Sequence, residues 1–103
     1  MKAAVYYMDT IAGILEKQPS GFSFEYTEQY LQSNFPPISF SFPKSKNPFF
    51  LEYLFPFFSG LLSEGTNKTV QCRALQIDER DEFTRLIKTA NTETIGAITV
   101  REI

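Results

Sequence analysis

Apolar and polar positions alternate from the start of the chain. In "AAVYYMDTIAGILEK", Val5, Tyr6 and Tyr7 favour extended backbone, and Ile11, Gly13 and Leu15 alternate with Ala12, Ile14 and Glu16. The pattern predicts two short strands around Asp9-Thr10, followed by a turn in "QPSG" at 18–21. "GFSFEYT" then sets Phe22, Phe24 and Tyr26 on one face and Ser23 and Glu25 on the other, as a half-buried antiparallel strand does. Three strands in succession make a meander.

Beyond residue 26 the period changes. "TEQYLQSN" predicts a short helix with Thr27 as its N-cap. In "FPPISFSFPKSKNP", prolines at 36, 37, 43 and 48 exclude a central helix, while Ile38, Phe40 and Phe42 alternate with serines. The expectation is an edge strand between proline-rich bends. A polyproline ligand is the functional alternative, disfavoured because the interleaved phenylalanines resemble core. Pro56 fits the first turn of a helix in which Phe57, Phe58, Leu61 and Leu62 form an apolar stripe and Gly65 supplies the stop. A second helix is expected in "NKTVQCRAL", capped by Ser63 or Thr66, with Val70, Cys72 and Leu75 inward.

The third helix has the clearest signal. Asp78 stands as N-cap, acidic residues at 79, 81 and 82 suit the positive end of the helix dipole, and Phe83, Leu86, Ile87 and Ala90 follow at helical spacing before Asn91. "TIGAITVREI" closes the pattern as a strand, with Ile95, Ala97, Thr99 and Arg101 on one face and Gly96, Ile98 and Val100 on the other. These elements predict an α+β fold: a small curled antiparallel sheet of about five strands packed against two or three helices, with residues 1–103 as one domain.

Composition narrows the function. Apolar residues make up 43% of the 103 positions, and eleven Phe with five Tyr supply much area for a small core. Ten basic and twelve acidic residues leave a net charge of -2; Lys44 and Lys46 are the densest basic pair, and Arg80 and Arg85 lie among carboxylates. Direct nucleic-acid binding, which needs several cations on one face, is therefore not expected. Cys72 is the only cysteine and histidine is absent, so an internal disulfide, the usual transition-metal ligands and His-based triads are all missing. Glycines 13, 21, 60, 65 and 96 form no phosphate-binding loop. Asp78, Glu79, Asp81 and Glu82 lack EF-hand spacing and read as a helix N-terminus. The apolar segment from Pro48 to Leu62 has fifteen residues and contains Glu52 and Pro56, too short and too interrupted to span a bilayer. Asp9 breaks the opening apolar run too early for a signal peptide, so a cytoplasmic location is expected. The residues point to a non-enzyme with no cofactor and no metal.

Taken together, the segments resemble the N-terminal subdomain of HipA-like toxin kinases. "VYYMDTIAGILEK" is similar to that family's opening hairpin, with Gly13 in its V-G-x-L position. "GFSFEYTEQYLQSN" resembles G-x-x-x-F-x-Y-x-x-x-Y-L, "PPISFSFP" resembles P-I-S-x-S-L-P, "PFFSGLLSEGTNK" resembles P-F-F-x-G-L-L-P-E-G, and "IGAITV" resembles the closing G-A-V-x-V. Ser63 stands where the family has proline, Thr94 where many members have cysteine, and Thr66 where some relatives carry an aromatic residue. The kinases continue past this strand into their ATP-binding and catalytic parts, whereas this sequence ends at Ile103 and so resembles HipS, the small component of split systems with a HipT kinase and a DNA-binding HipB.

The resemblance implies an antitoxin that binds and inhibits a HipA/HipT-like serine/threonine kinase, and that reaches a helix-turn-helix HipB-like repressor only through the kinase. An obligate structural or activating subunit of that kinase is the alternative, and a small-molecule or metal-binding domain is the second. Ser63, Glu64, Gly65, Thr66, Asn67 and Lys68 are the expected kinase contact; a plain helix–helix turn stays open as the other reading of this loop. A separate module at submicromolar concentration needs a Kd of about nanomolar, about -12 kcal/mol. An interface of roughly 800 Å² on this side suffices, and it calls for exposed aromatic side chains that the core cannot hold.

Overall fold

The protein is described here from a computed structural model, which describes residues 1–62, 73, 74, 76, 78, 80–89 and 97–103. Strands β1 (Lys2–Tyr7), β2 (Thr10–Gln18) and β3 (Gly21–Tyr26) form the expected meander. Helix α1 (Glu28–Gln32), strand β4 (Phe49–Leu51), helix α2 (Pro56–Ser59), helix α3 (Glu82–Thr89) and strand β5 (Ile98–Glu102) follow. The sheet order is β4-β3-β2-β1-β5, with every neighbouring pair antiparallel. The expected α+β class, with five strands and three helices among the described residues, is what the structure shows.

The alternation read from the sequence becomes rows across the sheet. Ala3, Leu15, Phe24 and Phe49 lie opposite one another on successive strands, and Val100, Val5, Gly13 and Tyr26 form the next inward row. Phe58 and Leu62 from the α2 region, and Phe83, Leu86 and Ile87 from α3, join this face in one buried cluster. Between β1 and β2 the register slips after Val5, so that Val5 faces Gly13 but Tyr6 faces Ile11. The extra residue curls the ribbon locally.

Two glycines are required by close approach. A Cβ on Gly13 would lie against the Glu25 carbonyl and 2.7 Å from the Phe24 ring. Gly21, at the β2–β3 turn, has φ +151 and lies against the Leu51 carbonyl of the edge strand.

Three expectations change. The segment 38–42 is not a strand; the edge strand forms at Phe49–Leu51 instead. Serine hydroxyls explain this, because Ser33, Ser39 and Ser45 each accept the N–H two residues on, from Phe35, Ser41 and Asn47, all at 3.2 Å. Such turns take the backbone donors that a ladder would use. The helix begun at Pro56 is a single turn ending at Ser59, with Gly60 as its cap, rather than running on to Gly65. Helix α3 begins one turn later than expected. Asp81 accepts from the Thr84 N–H (3.2 Å) and hydroxyl (2.7 Å), whereas Asp78 caps the preceding turn through the Arg80 N–H (2.9 Å). Of the second predicted helix, Arg73 and Ala74 are described, both helical and exposed. Gly65, Val70, Cys72, Leu75, Ala90, Asn91, Ile95 and Gly96 lie outside the described residues.

Gly13→Ala is expected to destabilise the protein by about 1–3 kcal/mol, because the new methyl group meets backbone as well as a ring. Gly60→Ala, at a right-handed helical position where a Cβ meets only carbonyl oxygens at 3.4 Å, is expected to change stability by less than about 1 kcal/mol. Urea unfolding of the two variants checks the pair.

Candidate functional site

The segment after α1 is irregular yet held at many points. Thr27 begins it: its N–H donates to Ala12 O on β2 (2.9 Å), and its hydroxyl oxygen accepts from the Tyr30 N–H (3.3 Å). The helix therefore leaves β3 at a fixed angle and delivers Tyr30 into the core at 1% exposure. The Tyr30 hydroxyl donates to Pro36 O (2.6 Å). Tyr26, four residues earlier at the end of β3, accepts from the Ile38 N–H at 3.2 Å and donates to the Phe42 carbonyl. Lys44 folds back over the Tyr30 ring, 5.3 Å from its centroid, and donates to Ser33 O (2.8 Å) and Phe35 O (2.9 Å).

Ring packing adds to these bonds. Tyr26, Tyr30 and Phe35 stack in series at 5.6 and 5.8 Å with interplanar angles of 3° and 13°, and Tyr7 meets Tyr30 and Phe35 from the side. Ile38 and Phe42 are buried on either side of Phe40, whose own side chain is exposed in full, at 107%. Pro36 and Pro37 are also exposed, and residues 36–40 surround a shallow, largely apolar hollow of about 400 Å³. Periodicity placed Phe40 with the core. The signal that finds it instead is the combination of four prolines with serines spaced to make turns.

Burial governs the tyrosine chemistry. The Tyr30 phenol is pushed up to about 12, first by burial and then by the neighbouring Tyr26 and Tyr7. Tyr26 is also raised by burial, against the lowering effect of the Ile38 N–H bond. Both hydroxyls are neutral structural donors at physiological pH.

The predicted contact residues Ser63, Glu64, Gly65, Thr66, Asn67 and Lys68 lie outside the described residues. The chain leading to them is well packed: Phe58 and Leu62 are buried, Phe57 and Leu61 pack against the core, and the Leu62 N–H donates to Ser59 O (3.1 Å). Two other surfaces carry less. The open face of the sheet presents Ile14 and Phe50 among Lys2, Glu16, Ser23 and Glu25, and Arg101 covers Tyr6 at 5.0 Å, the mixed character of a solvated sheet face. A hollow lined by Glu52, Asp78, Asp81 and Glu82 also carries Lys17 and Arg80, and Asp78 and Asp81 are occupied as caps. The Arg80 N–H holds the exposed Asp78 carboxyl below its usual value. Among the described residues no group of three or more His, Cys, Asp or Glu is placed to hold a metal, and no helix is long and apolar enough to cross a membrane.

A family model described as the HipA N-terminal domain matches residues 3–101. An uncharacterized protein of Haemophilus influenzae (strain KW20 / Rd) is 33% identical over 98 residues, which is 95% of this chain and 89% of that one. Among solved structures, an N-terminal domain of HipA toxin superposes with a TM-score of 0.73 at 28% identity, over 98% of this chain and 92% of that one. A Shewanella oneidensis MR-1 structure of HipA with HipB and operator DNA gives a TM-score of 0.70 at 21% identity, a likeness of fold. The match covers 97% of this chain but only 23% of that one.

Tyr30→Phe is expected to lower stability by about 1 kcal/mol at neutral pH, through the lost bond to Pro36 O. In the unaltered protein, stability should be complete below the unfolded phenol value near 10 and fall as pH rises from there toward 12, since the unfolded chain releases the proton first. Denaturant melts across that range test the sign, and Tyr30→Phe should flatten the alkaline decline.

Proposed function

The chain belongs to the HipA N-terminal domain family, and we propose that it is a non-catalytic antitoxin component that binds a HipA-like serine/threonine kinase and holds it inactive in the cytoplasm. The observation that carries this reading is an excess of aromatic side chains. The core is full of rings, yet Phe35, Phe40, Phe50 and Tyr53 stay exposed. Exposed aromatics on a small domain favour protein recognition, because large rigid rings supply contact area at low entropic loss. Support also comes from size: the same fold occupies about a quarter of the length of a HipA chain, so the remaining three quarters define a natural surface for this module to meet. The Shewanella HipA was solved with HipB and DNA, which motivates an indirect link to a HipB-like repressor through the kinase. In this reading residues 63–68 reach the kinase lobe near its active site, and the packed turn that ends at Leu62 leads into them.

Co-expression of the chain with a HipA-class kinase from the same genome tests the reading. Growth rescue and co-purification are the expected results, and heightened toxicity would instead favour the activating-subunit alternative. Replacing both Glu64 and Asn67 with alanine is expected to weaken binding by about 1–3 kcal/mol. Unchanged affinity would return the loop to a plain turn.

A further inference from the structure

Resting on that reading, we propose that residues 35–40 form a second docking element, separate in sequence from 63–68. It inserts the Phe40 ring into an apolar pocket of the kinase whose rim carries a carboxylate facing Lys44. Three observations carry this.

The first is the contrast between the ring and its support. Phe40 makes no shelter for itself, although Ile38 and Phe42 on either side are buried. The loop carrying it is fixed by Tyr26 at Ile38 and Phe42, by Tyr30 at Pro36, and by Lys44 at Ser33 and Phe35. Two prolines within it reduce backbone freedom further. An exposed ring on a floppy loop loses entropy on binding, whereas one held in place loses little.

The second is charge. From residue 29 to residue 51 the sequence contains no Asp or Glu and two lysines, in a chain whose net charge is -2. Lys44 directs two bonds to the loop's own carbonyls, and an ammonium has three donors. Its ammonium lies 2.9 Å from Phe35 O, one residue before the hollow formed by Pro36–Phe40, and a third N–H remains for a partner's carboxylate.

The third is shape. One ring with two lysines is a weak membrane anchor, and a fluid bilayer sets no fixed angle for a ring to match. A formed protein pocket, in contrast, rewards fixed geometry. The open sheet face also exposes Phe50, but sets it among Lys2, Glu16, Ser23 and Glu25 rather than beside a largely apolar hollow.

Affinity measurements on the purified chain and the HipA-class kinase, for the unaltered protein and for Phe40→Ser, test the proposal. The substitution removes a fully exposed ring, so the melting temperature should be unchanged while affinity falls about 30-fold or more. Tyr26→Phe keeps the ring but loosens its support, and should weaken binding about threefold to tenfold with Phe40 intact. Lys44→Met should reduce the salt dependence of binding. Equal affinity for Phe40→Ser and the unaltered chain overturns the docking element while leaving the kinase reading standing. No binding by the unaltered chain overturns both. Phe40-dependent self-association in sedimentation, or Phe40-dependent binding to anionic phosphatidylserine vesicles, without an effect on the kinase complex, would also overturn it, in favour of a second copy or a lipid surface.

Discussion

The structure depends on the packing of Phe42 against the inner face of the sheet. Its ring meets Phe24 and Phe55 at 5.0 Å, Phe49 at 5.2 Å, Phe58 at 5.7 Å and Phe57 at 6.0 Å. These partners come from β3, β4 and the α2 region, so one side chain from an irregular loop joins three parts of the fold. Edge-to-face and tilted ring pairs of this kind contribute about 0.5–1.5 kcal/mol each beyond the area they bury. The Phe42 carbonyl accepts the Tyr26 hydroxyl, which couples the loop's backbone to the sheet at the same residue. A loop with so few ladder bonds is ordered because its side chains replace them.

This arrangement separates what the sequence made legible from what it did not. The meander, the Thr27 cap and the α3 stripe of Phe83, Leu86 and Ile87 were readable, since each depends on neighbours close in the chain. The loop 33–48 misled a period-based reading because Ile38 and Phe42 do face inward, as alternate strand residues would. What turns them inward is not a strand but the single Tyr26 hydroxyl, 12 residues from Ile38 and 16 from Phe42. Long-range bonds of that type leave no local period. The exposed fate of Phe40 was hidden for the same reason. The short reach of α2 was hidden too, since Phe57, Phe58, Leu61 and Leu62 keep helical spacing while the chain beyond Gly60 leaves the α-helix.

The candidate surface shows the same division. Resemblance alone points to residues 63–68 as a contact, and these lie outside the described residues; the apolar approach through Phe58 and Leu62 is anchored as the apolar pattern implied. The aromatic loop could be recognised as a surface only from the structure, because surface and core phenylalanines are chemically identical in a sequence. Glycines were informative in proportion to crowding: Gly13 sits beneath the Phe24 ring, while Gly60 has open surroundings and a conformation that other residues adopt readily.

The ring at Phe40 also constrains how such a domain can stay soluble. A single exposed phenylalanine is ordinary for a globular protein, and aggregation follows when apolar groups become contiguous or lie along an unpaired strand edge. Here the serine turns and prolines prevent residues 35–42 from becoming that strand, so the ring is displayed without an edge beside it. Of the two outer strands of the described sheet, β4 and β5, β4 is only three residues long and is bounded by Pro48 on one side and Glu52 on the other. Recognition and resistance to edge pairing thus have a common origin: the serine hydroxyls and prolines that deny this segment a ladder also leave its ring free to meet a partner.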